Sequence, residues 1–129
     1  MIKYLTLEEV LEMHDVFIEK FGGLKGVRDL NLLLSAIETP KATMFGHDLY
    51  PTIYDKAAVY LYHIVQNHPF NDGNKRTGFG VAYIFLSANK VPITFKDETF
   101  EALVVEIAKG KKTKQEIAYF FEHGVSISE

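Results

Sequence analysis

The chain has 129 residues, of which 47% are hydrophobic and 24% are charged, and its formal net charge is -3. This composition is typical of one folded domain, predicted over residues 1–129, and is far from that of disordered chains. The slightly acidic balance argues against a general nucleic-acid binder, so we expect no direct nucleic-acid contact. Because there is no cysteine, disulfides, thiolate metal sites and thiol chemistry are excluded.

Nothing in the sequence predicts a membrane segment. No apolar run approaches the ~20 residues that span a bilayer, and the N-terminal residues lack the apolar region of a signal peptide. We therefore expect no membrane partner and a cytoplasmic location.

Two helices are predicted in the first third of the chain. Apolar residues recur at helical spacing from Thr6 to Phe21, with Thr6 and Glu9 as a capping box. His14 lies on the apolar face, where we interpret it as a hydrogen-bonded core histidine. The second helix is predicted from an N-cap at Asp29 through Glu38.

Residues 40–53, "PKATMFGHDLYPTI", have two prolines, a glycine and no helical period. They predict a long loop or a short hairpin, and loops of this length in small domains are often functional. We interpret His47 and Tyr50 in this segment as solvated loop residues.

The rest of the chain is also mainly helical in pattern. Two segments that are apolar nearly all round should be buried helices, and residues 91–95 are predicted to be extended. The predicted fold is therefore mainly α, a compact bundle of five to six helices with a short hairpin or loop flap. The helices predicted in this part run from Thr52 and Asp55 to about Asn67, from about Arg76 to Ala88, from Asp97 to a stop at Gly110, and onward from a capping box of Thr113 and Glu116.

The two buried helices are joined by the polar stretch "NHPFNDGNKRTGFG", residues 67–80. Its second half should form the first turn of a helix, where unpaired N–H groups and the helix dipole favour an anion. Gly73 would let the backbone approach a ligand closely, while Asn74, Lys75 and Arg76 add hydrogen-bond donors and positive charge. A phosphate chain is the ligand that suits these groups.

Two further residues extend the chemistry of this stretch. Asp72 beside a phosphate predicts a Mg²⁺ ion between them, since Mg²⁺ takes one or two carboxylates together with substrate phosphates. His68 precedes Pro69 and could act as a general base near neutral pH. Phe70 is predicted to be a hydrophobic anchor beneath the loop, and Gly78 to allow close packing of the two central helices, as is Gly80. A polar helix connection without catalytic function remains an alternative at this point.

The run "HPFNDGNKR", His68 to Arg76, resembles the signature of the Fic/Doc family, H-P-F-x-D/E-G-N-x-R. Residues 22–40 and 74–90 are similar to the Doc toxin branch, and the resemblance covers roughly residues 3–95. It implies a Fic-like bundle that binds ATP with Mg²⁺ and modifies a hydroxyl of a target protein. His68 would be the general base and Asp72 the metal ligand, and the phosphates would lie at Gly73, Asn74 and Arg76.

Two departures from the AMP-transferring pattern distinguish this chain. That pattern is G-N-G-R-x-x-R, whereas Lys75 stands here at its third position and Phe79 at its last. Doc toxins share both departures. The resemblance therefore implies a type II toxin that transfers the γ-phosphate of ATP to an EF-Tu-type translation elongation factor and so inhibits translation. AMP transfer by a Fic-type adenylyltransferase and a non-catalytic Fic-fold binding module are the alternatives.

The resemblance also implies two features outside the motif. The segment 41–53 would be the family's flap, which aligns the target by strand-like pairing. The nearest match to the family's inhibitory motif is Thr94 to Glu98, which we interpret as chance. Inhibition would then come in trans from a small Phd-like antitoxin.

Overall fold

The structure, a computed structural model, describes residues 1–126; residues 127–129, the end of the predicted domain, lie outside the described part. The mainly α fold is as predicted, with a short antiparallel hairpin. The elements in chain order are α1 (Leu7–Phe21), α2 (Leu30–Glu38), a 3₁₀ turn (Thr39–Lys41), β1 (Thr43–Met44), β2 (His47–Asp48), α3 (Ile53–Asn67), α4 (Asn74–Ala88), α5 (Asp97–Ala108) and α6 (Lys114–His123).

Side chains close to each helix start explain where most helices begin. Three helices open with a capping box, in which a threonine hydroxyl accepts the third backbone N–H of the helix and an acid accepts the threonine N–H. The sequence predicts the boxes of α1 and α6. Asp29 caps α2 in a simpler way, by accepting the Leu32 N–H at 3.1 Å. The three boxes are Thr6 with Glu9 in α1, Thr52 with Asp55 in α3, and Thr113 with Glu116 in α6.

The buried core is built around α3 and α4, as the sequence predicts. α3 packs against α2, α4, α5 and α6, and most of its side chains are buried. A Cβ added to Gly78 would lie 2.8 Å from Val65 Cγ2 of α3, so this glycine does allow the two central helices to pack closely. The same prediction is wrong for Gly80, whose added Cβ would instead meet Phe17 of α1 at 2.8 Å.

The predicted extended segment 91–95 forms no strand. Its neighbours are helical, so they offer no sheet edge with which its backbone could pair. The segment ends at Phe95, which is buried among aromatic rings, with centroid distances of 5.0 Å to Phe100, 5.0 Å to Phe120 and 5.8 Å to Phe121. Its role is to bring an aromatic side chain between α5 and α6.

The segment 40–53 contains the predicted hairpin. Phe45 and Gly46 both have positive φ, as a two-residue turn of type I′ requires. Beneath the hairpin, the fully buried Lys56 of α3 pairs with Asp48 Oδ2 at 3.2 Å and donates to the carbonyl of Tyr50. A buried ammonium needs such partners, so the base of the hairpin is held firmly against α3.

Within residues 1–126, no helix combines the length and the apolar character needed to cross a membrane.

We predict that Gly78→Ala lowers the free energy of unfolding by about 1 kcal/mol, because overpacking costs ~1–3 kcal/mol and the helix propensity of alanine returns ~1 kcal/mol. The measurement is urea denaturation. In a Val65→Ala background the clash is relieved, so the same substitution should become neutral or stabilising. A substitution that destabilises both backgrounds equally would contradict this packing explanation.

Candidate active site

A groove of about 1280 Å³ lies between α1, α4 and α5. All the predicted site residues line it, so the structure brings them together at one end of the α3 and α4 pair. They are His68, Asp72, Gly73, Asn74, Lys75 and Arg76.

The backbone of the motif is held by the α1–α2 segment, residues 22–29. The N–H groups of Arg28 and Asp29 both donate to the Pro69 carbonyl, at 2.7 and 3.0 Å, and the Asn71 N–H donates to the Gly26 carbonyl at 3.1 Å. Val27 and Phe70 form an isolated antiparallel bridge. The irregular backbone of the motif is therefore paired as a strand would be.

His14 of α1 packs against the buried side of the motif. Its ring stacks on Phe70, with centroids 3.8 Å apart and an interplanar angle of 7°. Its Nε2–H donates to the carbonyl of Asp72 at 2.8 Å. Both rings are 1% exposed, which confirms Phe70 as a buried anchor and His14 as a hydrogen-bonded core histidine. The hydrogen bond further ties α1 to the backbone of the predicted metal ligand.

The Asp72 side chain is exposed at the groove. Its Oδ2 accepts the Leu24 N–H at 2.8 Å, while Oδ1 makes no hydrogen bond to the residues that the structure describes. One carboxylate oxygen is thus oriented by the backbone and the other can bind a cation. Residues 1–126 contain no cluster of three or more metal-binding side chains. The donor set fits Mg²⁺, which takes few protein ligands when substrate phosphates supply the others.

The helix that follows the motif begins at Asn74, two residues before the predicted start. Gly73 caps it in a left-handed conformation, with φ of 77°, and an added Cβ would lie 3.1 Å from Ile18 Cδ1. The glycine is therefore required by its backbone conformation and by the proximity of α1. The first intrahelical bond runs from the Thr77 N–H to the Gly73 carbonyl, so the N–H groups of residues 74–76 precede it and can bind an anion.

The side chain of Asn74 has a structural role that the sequence did not predict. Its Oδ1 accepts the Phe70 N–H at 2.9 Å and its Nδ2 donates to the Phe70 carbonyl at 3.0 Å. The amide therefore closes the loop against the new helix, and the donor that this residue leaves for an anion is its backbone N–H.

The cationic residues of α4 lie at the open side of the groove. Lys75 and Arg76 are both exposed, and the Arg76 guanidinium stacks over the Phe21 ring at 3.7 Å from its centroid. This contact accounts for Phe21, which is 52% exposed at the end of α1, and it holds the guanidinium beside the helix N-terminus.

Phe79, one turn further along α4, also lines the groove. It stacks on Phe100 of α5, with centroids 4.1 Å apart and an interplanar angle of 21°. The position at which the AMP-transferring pattern has a second arginine is thus part of an aromatic contact in this chain.

His68 follows the last residue of α3 and is exposed to the groove. Its backbone is left-handed, with φ of 50° and ψ of 58°, and its carbonyl accepts a hydrogen bond from Arg28. The sequence did not predict the roles of Arg28, His14 or the Leu24 amide here. Only His14 carried a signal, as a polar residue on an apolar helix face.

The flap segment 41–53 also differs in part from expectation. His47 is exposed on β2, as predicted for a solvated residue. Tyr50 is half-buried, and its hydroxyl accepts a hydrogen bond from Lys114 of α6 at 3.3 Å. The solvated interpretation of Tyr50 is therefore wrong, because this side chain joins the base of the hairpin to α6.

His63, on the last turns of α3, is held in its neutral form. Burial, and then the charge of Lys114, lowers the pKa of His63 from its ordinary value of 6.5 to about 4. Its Nδ1 accepts a hydrogen bond from Asn67 Nδ2 at 3.3 Å. A protonated ring could not accept that bond.

A sequence model described as the Fic/DOC family matches residues 4–86, which include every predicted site residue. The chain belongs to the Fic/DOC family. This Fic/DOC chain is 41% identical over 110 residues to a protein named "Toxin Doc" from Mycolicibacterium smegmatis, covering 84% of the chain and 82% of that relative. It is also 29% identical over 117 residues to "Protein kinase doc" of Escherichia phage P1, covering 91% of each.

We predict that His63 makes this Fic/DOC protein less stable in mild acid. Because the folded pKa lies below the ordinary value, the unfolded chain binds the extra proton, so stability is fully present above pH 6.5 and falls towards pH 4. A pKa shift of one unit corresponds to about 1.4 kcal/mol in the free energy of unfolding. Because the His63 ring is partly exposed, we expect its protonation to lower that free energy by roughly 1–2 kcal/mol in total.

The measurement is urea denaturation of wild type and His63→Gln across this pH window. The variant should lose less stability than wild type as the pH falls, while His123→Gln, at an exposed histidine of α6, should follow wild type. Parallel curves for wild type and His63→Gln would show that the ring is not held neutral.

Proposed function

We propose that the chain is a Doc-type toxin that phosphorylates a protein hydroxyl with the γ-phosphate of ATP. The observation that carries the proposal is the placement of His68, Asp72 and the N-terminus of α4 around one groove. The names of the two relatives, one a toxin and one a protein kinase, support the same reading. AMP transfer and a non-catalytic module are the competing functions.

In the proposed reaction, His68 takes the proton of the target hydroxyl while that oxygen attacks the γ-phosphorus. The bond from the γ-phosphorus to the β,γ-bridging oxygen breaks, and ADP leaves with the electron pair. The N–H groups at the start of α4, with Lys75 and Arg76, hold the phosphates. Mg²⁺ bound by Asp72 would neutralise phosphate charge.

Two residues of α4 favour phosphate over AMP transfer. The Lys75 side chain occupies the first turn, where the AMP-transferring pattern has a glycine. The Phe79 ring packs on Phe100, so this position supplies no second arginine to bind phosphate. A nucleotide bound with its γ-phosphate towards His68 needs neither the space nor the second arginine.

We also propose the partners that the family resemblance implies. The target would be a translation elongation factor of the EF-Tu type in the cytoplasm, aligned by the hairpin of β1 and β2. Phe45 is 94% exposed at the tip of that hairpin, which leaves an apolar side chain available for a target. A Phd-like antitoxin would inhibit the enzyme in trans.

The decisive experiment supplies the purified chain with ATP labelled at the γ- or the α-phosphate, together with a cell lysate. We expect protein labelling from γ-labelled ATP alone. We expect His68→Ala to reduce the rate by ~10² to 10⁴, the usual contribution of a general base. The control His123→Ala removes an exposed histidine of α6 and should match wild type.

The other outcomes separate the competing functions. Label from the α-phosphate would replace the kinase proposal with nucleotidyl transfer. Toxicity on expression that persists in His68→Ala would favour a binding module.

We predict that Phe21→Ala weakens nucleotide binding. Without the ring 3.7 Å away, the Arg76 guanidinium loses a contact that is generally worth ~0.5–1 kcal/mol at exposed sites, so KM for ATP should rise about 2- to 5-fold with little change in kcat. Steady-state kinetics would measure this. Phe21→Tyr keeps the stacking and is the matched control, and an unchanged KM in Phe21→Ala would contradict the role given to the ring.

A further inference from the structure

Arg28 contacts the end of α3 from 40 residues earlier in the chain. Its Nε–H donates to the His68 carbonyl and its Nη2 donates to the Asn67 carbonyl, both at 2.6 Å. A single planar guanidinium therefore bridges two consecutive carbonyls at the point where the helix ends.

The end of α3 needs such donors for a physical reason. The last carbonyls of a helix have no partner within the helix. A left-handed residue followed by an amide N–H often closes such an end, and His68 has the left-handed conformation. The next residue, however, is Pro69, which has no N–H. Arg28 supplies the missing donors and places a positive charge at the negative end of the helix dipole.

The backbone of Arg28 is fixed as well. Its N–H donates to the Pro69 carbonyl at 2.7 Å, and the preceding Val27 bridges Phe70. The same residue thus holds His68 through its side chain and the following proline through its main chain. Because a guanidinium donates in a rigid fork, it sets orientation as well as distance.

We propose that Arg28 is a positioning residue for His68, holding the left-handed backbone that directs the imidazole into the groove. This inference rests on the proposed role of His68 as the general base. Arg28 acts through His68, while α4 is proposed to hold the phosphates and Asp72 the metal ion. Its loss should therefore lower kcat far more than it raises KM for ATP.

The test compares Arg28→Ala, Arg28→Lys and Lys25→Ala. Lys25→Ala is the matched control, because it removes a cation from the same segment, where the lysine side chain is exposed and only its carbonyl contacts the motif. We expect Arg28→Ala to lower kcat on the order of 10- to 100-fold, the effect of small misplacements. KM for ATP should stay within about 3-fold of wild type, because Arg28 is proposed to affect the chemical step and not the binding of the nucleotide.

Arg28→Lys should recover little of kcat, because an ammonium cannot bridge both carbonyls in a fork. Added methylguanidine should restore part of the activity of Arg28→Ala. A rise in KM for ATP with unchanged kcat would overturn the proposal, since Arg28 would then contact the nucleotide.

A second readout does not depend on the reaction. In protein labelled with ¹³C and ¹⁵N at histidine, the His68 Cα and Cβ shifts, assigned by their loss in His68→Ala, report its backbone conformation. We expect them to move in Arg28→Ala and Arg28→Lys but not in Lys25→Ala. Unchanged shifts in both Arg28 variants would overturn the proposal.

The two readouts also separate the two proposals. If wild type transferred no phosphate, the proposed function would fail, and the shifts would still decide whether Arg28 holds His68. If Arg28→Ala did not fold, both the kinetics and the His68 shifts would be measured on Arg28→Lys, which keeps the charge and the aliphatic stem.

Discussion

The antiparallel contact between residues 26–29 and residues 68–71 is the interaction on which the site depends. Two buried helices, α3 and α4, must be joined by a chain that leaves one and enters the other without a regular structure. Each unpaired backbone group that is buried there would cost ~1–3 kcal/mol. The α1–α2 segment supplies the partners, so the polar side chains of the motif can face the groove while their backbone remains paired.

Other groups around the groove are also held in position by contacts from distant residues. His14 holds the Asp72 carbonyl, the Leu24 amide holds Asp72 Oδ2, and Phe21 holds Arg76. Asp72 and Arg76, two of the residues proposed to bind the metal and the nucleotide, are therefore oriented by groups from α1 or the segment after it. Sites whose side chains are locked by such neighbours keep their geometry better than sites on isolated loops.

The helices could largely be predicted from the sequence because their signals are local. A threonine and an acid three residues later mark three starts, and apolar spacing marks the buried faces. The errors arose where a distant partner decides the outcome. Residues 91–95 found no strand to pair with, and Gly80 faces α1 rather than α3. Neither contact leaves a pattern in the neighbouring sequence.

The candidate site also has residues that the sequence predicts and residues that only the structure reveals. Its polar residues form one contiguous run, so the sequence alone could place them together. Arg28, His14 and Leu24 lie 40 to 58 residues from the groups they hold, and no short spacing connects them. Asn74 matched the family pattern, yet only the structure shows its amide closing the loop on Phe70.

The stacking of Phe79 on Phe100 has a consequence for how this chain can diverge. An arginine introduced at position 79 would replace a half-buried ring that stacks on the fully buried Phe100, and losing such an aromatic pair generally costs ~0.5–1.5 kcal/mol beyond the lost buried area. An arginine at this position would therefore be accommodated best together with a further substitution in α5. A path that changes position 79 alone would pass through a less stable intermediate, so the packing of α4 on α5 makes substitutions in the two helices interdependent.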